Sequence, residues 1–257
     1  NAIANTLIRT TVHITRQSPD IAQGVDADGW GDQGIFWGYA VDDPKRGYMP
    51  KDYYLARLLG NELYSSGLGG LDIKTQVEVS DGSPQSVIVA APMLDERPRE
   101  DVVRIVRDEI GATGVIPEIV VNGTGRYVRH SSMGDCGTTG RKLAVDFYGG
   151  NCRIGGGSPW TKDPSKADLT LNLYARLFAL RYVRAHRDCP VVYVSISCCI
   201  GRRAVRIAYF DQRNELIETH MEDCPASEVI GELGLRRPIN ADLCRSGLFF
   251  AVDASFS

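Results

Sequence analysis

The sequence predicts an α+β fold built from two similar units. Three observations carry this: each half of the chain holds one long segment with helical apolar spacing, a hairpin of alternating segments, and a later, shorter helical segment. No residue-level repeat accompanies the likeness. Helices gathered on one face of each sheet leave the other face free to pack against a partner.

The elements follow in order. Residues 11–14 (Thr-Val-His-Ile) alternate like a strand, whereas 17–31 have no period and are broken by Ser18-Pro19-Asp20 and Gln23-Gly24, which reads as a mobile loop. A loop of that length is either a functional lid or simple disorder. Residues 35–41 form an aromatic-bearing strand, and in 53–63 Tyr54, Leu55, Leu58, Leu59 and Leu63 share one helical face. Residues 71–79 have period two, Asp81-Gly82 turns the chain, and 85–91 return, presenting Asp72, Lys74, Gln76 and Glu78 outward. A helix over 98–110 and a strand over 118–121 complete the first unit. The second has a strand at 143–148, a helix over 165–187, strands at 191–197, 204–210 and 215–220, and a short helix over 226–233. The predicted division is 1–28 as a remnant with a loop, 29–128 as a central α+β domain, and 129–257 as a C-terminal α+β domain.

Composition narrows the function. With 257 residues, 43% hydrophobic and 24% charged, the chain is globular, and its net charge of −3 argues against coating nucleic acid. Within 126–166, however, seven Lys/Arg face three Asp/Glu, a local positive region suited to a small anion. Seven cysteines without a C-x-x-C pair suggest neither a disulfide framework nor a zinc ribbon and fit a reducing cytoplasm. No apolar run is long enough to span a membrane. The first residue is Asn, and both ends read as belonging to a longer product.

The densest chemistry lies between Gly134 and Asp168: Gly134-Asp-Cys-Gly-Thr-Thr-Gly-Arg141-Lys142, Gly149-Gly150, Gly155-Gly-Gly157 and Lys162-Asp-Pro-Ser-Lys166-Ala-Asp168. Glycines let the backbone close on a ligand, and four cations stand beside them. Asp163-Pro164 reads as a helix cap and first position, placing Lys162 and Lys166 beside unpaired N–H groups that attract phosphate. Asp168, one turn on, suits Mg²⁺ bridging phosphates, or simply complements the helix dipole. On a strand, Arg141 and Lys142 would point to opposite faces. Neither a Walker loop nor a dinucleotide fingerprint is present, and His13, His130, His186 and His220 suggest no catalytic triad. The chemistry is therefore of positioning and electrostatics.

These residues, with Gln17-Ser-Pro-Asp-Ile-Ala-Gln-Gly-Val25, Gly31-Asp-Gln-Gly34, Gly38-Tyr-Ala40 and Asp146-Phe-Tyr-Gly-Gly150, closely resemble the S-adenosylmethionine synthetase family. The resemblance implies repeated α+β domains about a pseudo-threefold axis, sheets packing at a subunit interface, and active sites shared in a homodimer or dimer of dimers. It implies ATP and L-methionine as substrates, with Mg²⁺ and K⁺ as cofactors. The catalytic cations would be Lys74, Arg141, Lys142 and Lys162. ATP would also meet Asp32, Tyr127, Asp135 and Ile200, methionine would meet Gln17, Asp135 and Lys166, and Asp168 would bind the metal. Gln17, Ser18, Pro19, Asp20, Ile21, Gln23 and Gly24 would lie in the gating loop. Departures include Ile154 where the family has His, Asn122-Gly where it has Asn-Pro, a shortened stretch after Asp28, and no N-terminal Gly-His-Pro-Asp-Lys motif. A catalytically incomplete homologue that binds nucleotide or polyphosphate, a regulatory subunit and a residual tripolyphosphatase are the alternatives.

Overall fold

The computed structural model describes residues 11–93, 99–111, 117–238, 241, 243–244 and 247–250. In chain order its elements are α1 (Pro19–Asp26), β1 (Gly34–Val41), α2 (Lys51–Ser65), β2 (Lys74–Ser80), β3 (Ser83–Ala90), α3 (Arg99–Gly111), β4 (Glu118–Val121), α4 (Leu143–Asp146), α5 (Ala167–Ala185), β5 (Val191–Cys198), β6 (Ala204–Phe210), β7 (Leu216–Asp223) and α6 (Ala226–Glu232). The fold is α+β, as the sequence predicts.

One sheet has the order β1-β5-β6-β7 and is antiparallel throughout; the other has the order β2-β3-β4, with β4 parallel to β3. Their cores differ. Val77, Val87, Val89 and Val121 bury one face of the smaller sheet against Leu55, Leu59 and Leu63 of α2 and Val102, Val106 and Ile110 of α3. This is the period-two pattern meeting two helical stripes. In the larger sheet, Phe36, Ala40, Val192, Val194 and Ile196 face α5, whose buried residues surround it on nearly every side. The approach is so close that a β-carbon on Gly38 would overlap the Ala175 carbonyl. Arg176, buried within α5, donates to the carbonyls of Tyr39, Tyr48 (3.2 Å) and Gly47 (2.7 Å), tying the helix to β1 and the turn after it.

On the face away from α5, the cross-strand row Ile35, Ser197, Arg206 and Met221 is largely open, with Ile35 49% and Met221 65% exposed. Arg153 covers Trp37 nearby, its guanidinium 4.9 Å from the ring centre.

Several local expectations are corrected. Residues 11–14 form no strand: they are exposed and have no partner strand, and alternation without pairing is not enough to hold one. The supposed loop after Gln17 holds helix α1, with Pro19 at its first turn. Residues 143–146 are helical rather than extended, so Lys142 is a helix-flanking residue and the pleat argument for Arg141 and Lys142 does not apply. The long helix starts at Ala167 because Asp163 spends its carboxylate on the backbone N–H and hydroxyl of Ser165, making a local turn. β2 starts at Lys74 rather than Leu71, since Asp72 takes a left-handed φ of 64°. The helix start expected at Pro98 lies outside the described residues. Strand β1, read as part of the central stretch, pairs with β5.

Candidate active site

Two sets of predicted residues gather in the folded chain. The first lines a cavity of about 790 Å³ between α2, the start of β2 and the 142–150 segment; Lys74 and Lys142 both border it. Asp72, Arg57, Tyr53, Asn61 and Cys244 line it too. Asp72 also accepts the backbone N–H of Ser131. Burial, and then the charge of Asp72, hold the Tyr127 phenol above its ordinary range, so Tyr127 lies at the same end. Asp135 follows a short 3-10 turn and donates its N–H to the Ser131 carbonyl at 3.1 Å. The α2 side is docked by Tyr53, whose hydroxyl donates to the Val145 carbonyl (2.8 Å), and by Asn151, which donates to both Asp52 oxygens (2.9 and 3.0 Å).

The second set surrounds the start of α5 and the ends of β1 and β5. Lys162 forms an ion pair with Asp168, both side chains being only partly exposed. Asp168 is placed by Asn172, which donates to its carbonyl at 2.6 Å and accepts the Trp37 N–H at 3.4 Å, so β1 fixes the first turn of α5. Gly157 lies directly against Asp168: a β-carbon there would overlap the carboxylate, which would have to turn aside. Lys166 donates to the Gln17 amide oxygen at 3.3 Å, joining residues far apart in sequence. Asp32 offers its carbonyl to the Cys198 thiol at 3.3 Å. Burial first, and then the negative charges of Asp32 and Asp168 among others, push that thiol up to about 12, which marks both carboxylates as close to it. Ile200 stands just beyond β5, 43% exposed. Arg141 is exposed, next in sequence to the cavity-lining Lys142 and after Gly140 at φ +81°.

Among the described residues, the cavity lining includes none of Gln17, Lys162, Lys166 or Asp168. Sequence reasoning missed Arg57 and Asn61, which look like ordinary polar positions on a helix. Asp72 was read only as an outward residue of the hairpin, although an Asp just before a strand carries a weak left-handed signal.

Residues 130–256 match the family model for the S-adenosylmethionine synthetase C-terminal domain. The chain is 37% identical over 213 residues to an S-adenosylmethionine synthase of Oleidesulfovibrio alaskensis, an alignment that covers 73% of this chain and 54% of that protein. The chain belongs to the S-adenosylmethionine synthetase family. It spans about half the length of that curated relative. In fold, it is similar to an unusual S-adenosylmethionine synthetase from Campylobacter jejuni, with a TM-score of 0.68 and 24% identity, covering 88% of this chain and 71% of the other. As a synthetase-family chain, it keeps the glycine-and-cation segment inside the matched C-terminal domain, apart from Lys74 and the residues before β1. Among the described residues, no helix is long and apolar enough to cross a membrane.

Proposed function

We propose that this chain forms S-adenosyl-L-methionine from ATP and L-methionine. The methionine sulfur would attack the ribose 5′ carbon, its lone pair forming the new C–S bond while the C–O bond to the triphosphate breaks. Water then hydrolyses the triphosphate, breaking one P–O–P bond to give pyrophosphate and phosphate. A thioether sulfur attacks without losing a proton, so no general base is needed. The heavy demand is the charge on the departing triphosphate. Lys74, Arg141, Lys142 and Lys162 answer that demand, each charge-assisted contact contributing about 1.5–3 kcal/mol.

The observation that carries this reading is the arrangement of the cations, with Lys74 and Lys142 on one cavity and Lys162 held beside Asp168. We assign the two sets to opposite sides of a shared site, the cavity of one subunit facing the Lys162 cluster of its partner in a homodimer or dimer of dimers. The open Ile35–Met221 row suits the sheet face for such a contact. Tyr127 would stack on adenine, with Asp32, Asp135 and Ile200 at the nucleoside, while Gln17, Asp135 and Lys166 would orient methionine. The segment from Gln17 to Gly24 would gate the entrance.

Mg²⁺ fits this chain only in company with phosphate. Among the described residues no cluster of three or more His, Cys, Asp or Glu could hold a metal, but Mg²⁺ commonly takes one or two carboxylates and fills its remaining positions with water and phosphate oxygens. Asp168 supplies one such carboxylate. Bound there, the ion would neutralise triphosphate charge, and Lys162 would exchange its carboxylate partner for a phosphate oxygen. For K⁺ we assign no ligand in this chain.

Steady-state turnover of ATP with methionine tests the proposal. Lys162→Ala is expected to lower turnover on the order of 10²–10³-fold, as losing one preorganised oxyanion donor does, and Asp168→Asn to raise the Mg²⁺ requirement. Tripolyphosphate binding without any product would favour a polyphosphate-binding homologue; Lys162→Ala turnover equal to wild type would reject the assigned role.

A further inference from the structure

The base of the Gln17 segment is fastened by Asp28. Helix α6 starts after Pro225, which has no side-chain acceptor, so its first N–H groups need partners from elsewhere. They find them in a residue far earlier in the chain. The Asp28 carbonyl accepts the Ala226 N–H at 3.2 Å, and its carboxylate accepts the Ser227 N–H at 2.9 Å and the Ser227 hydroxyl at 2.6 Å. Asp28 sits at φ 58°, a left-handed conformation that Asp tolerates because its short polar side chain bonds locally. Its own N–H returns to the Val25 carbonyl at 2.9 Å, closing the end of α1.

The same stretch is locked to the turn after β5. Gly201 donates to the Trp30 carbonyl at 2.8 Å, Trp30 donates to the Arg202 carbonyl at 3.1 Å, and Gly29 donates to the Gly24 carbonyl at 3.1 Å. A β-carbon on Gly29 would come within 2.7 Å of the Gly201 backbone, so the contact is main chain on main chain. Trp30, fully buried, anchors the result. Residues 24–30 are thus held at both α6 and the Ile200–Gly201 turn, while at the other end of α1 the tie among the described residues is the Gln17 contact to Lys166. No residue of α1 is buried.

We propose that Asp28 is a positioning residue for methionine: by capping α6 it fixes the base of α1 over the Ile200 turn and so sets where Gln17 meets Lys166. This rests on the proposed function for its methionine readout, but not for its structural one. The Asp28 carboxyl is held below the ordinary carboxylate range by its bonds from Ser227, in keeping with a permanently charged cap.

The test uses the full chain with Asp28→Gly, which keeps the left-handed backbone and the carbonyl bond to Ala226 but removes the carboxylate cap on Ser227, and Asp28→Asn, which retains a side-chain acceptor. Hydrogen exchange is read at the amides of Gly29, Trp30 and Gly201, and methionine KM and kcat are measured alongside. Asp28→Gly is expected to speed exchange at those three amides about tenfold or more and to raise methionine KM about tenfold with kcat within about twofold. Asp28→Asn should return both to near wild type. Unchanged exchange in Asp28→Gly overturns the clamp. Faster exchange with an unchanged KM overturns the positioning role and leaves a purely structural cap. If the wild-type chain turns over no methionine, the proposed reaction falls, and the exchange rates alone still decide whether Asp28 fixes the segment.

Discussion

Lys162 meets Asp168 beside Gly157, where a β-carbon would overlap the carboxylate, and Thr161, the residue just before the lysine, takes a left-handed φ of 63° to deliver it. A β-branched residue in that conformation is strained by about 1–3 kcal/mol, so the loop is held by what surrounds it rather than by its own preference. The thiols near the site make a sharper prediction. Cys198 is protonated up to about 12 through burial, whereas Cys136, Cys199 and Cys244 are exposed. At pH 8, iodoacetamide followed by peptide mass mapping should label those three well before Cys198, since the thiolate is the nucleophile. Cys198 labelling as fast as the exposed three would contradict its placement. At this scale the clustering of glycines and cations was legible in the sequence, and the fold gathers Lys74 with Lys142 and Lys162 with Asp168. The sequence misled at Asp163, because nothing in one sequence says whether an Asp before Pro caps a helix or bonds to Ser165 two residues later.

Among the elements, α5 carries the larger core and Arg176 fastens it. Its guanidinium serves three carbonyls of β1 and the following turn, acceptors that leucine would leave without these donors. The Tyr48 carbonyl would keep the Val41 N–H at 3.0 Å, so the loss falls on the Tyr39 and Gly47 carbonyls, and Arg176→Leu should cost about 3 kcal/mol, each acceptor deprived of its donor being worth about 1–3, seen as a lower urea midpoint at unchanged slope. Equal or greater stability, as some buried charges show on apolar replacement, would refute this account. The hairpin of β2 and β3 and the strands β5, β6 and β7 were legible within a few residues, because alternation and turn dipeptides act locally. α1 was not, since an eight-residue helix with no buried side chain leaves almost no periodic trace. α4 was missed for a related reason: four residues with apolar members suit strand or helix equally until tertiary contacts choose.

For the whole molecule, the division of the cations into two sets is the property that matters. If one subunit's cavity serves another's Lys162 cluster, Lys142→Ala and Lys162→Ala chains, each nearly inactive alone, should regain a substantial share of turnover when unfolded together and refolded as a mixture. Activity no greater than the sum of the two separate preparations would place each site within one chain. The α+β class was readable at this scale, but which strand joins which sheet was not. Periodicity reports which residues are covered and is silent about the neighbour that covers them, as β1 illustrates.

That strand has a further consequence during synthesis. β1 leaves the ribosome well before β5, the one strand it pairs with among the described residues, whereas the β2-β3-β4 sheet and its helices α2 and α3 draw on one uninterrupted stretch. Local contacts close faster than distant ones, so the smaller sheet should gain amide protection first in pulse-labelled refolding, while Phe36 to Ala40 wait with an unsatisfied apolar edge, the interval in which this chain is most exposed to aggregation. Simultaneous protection of both sheets would show instead that they assemble as one cooperative unit.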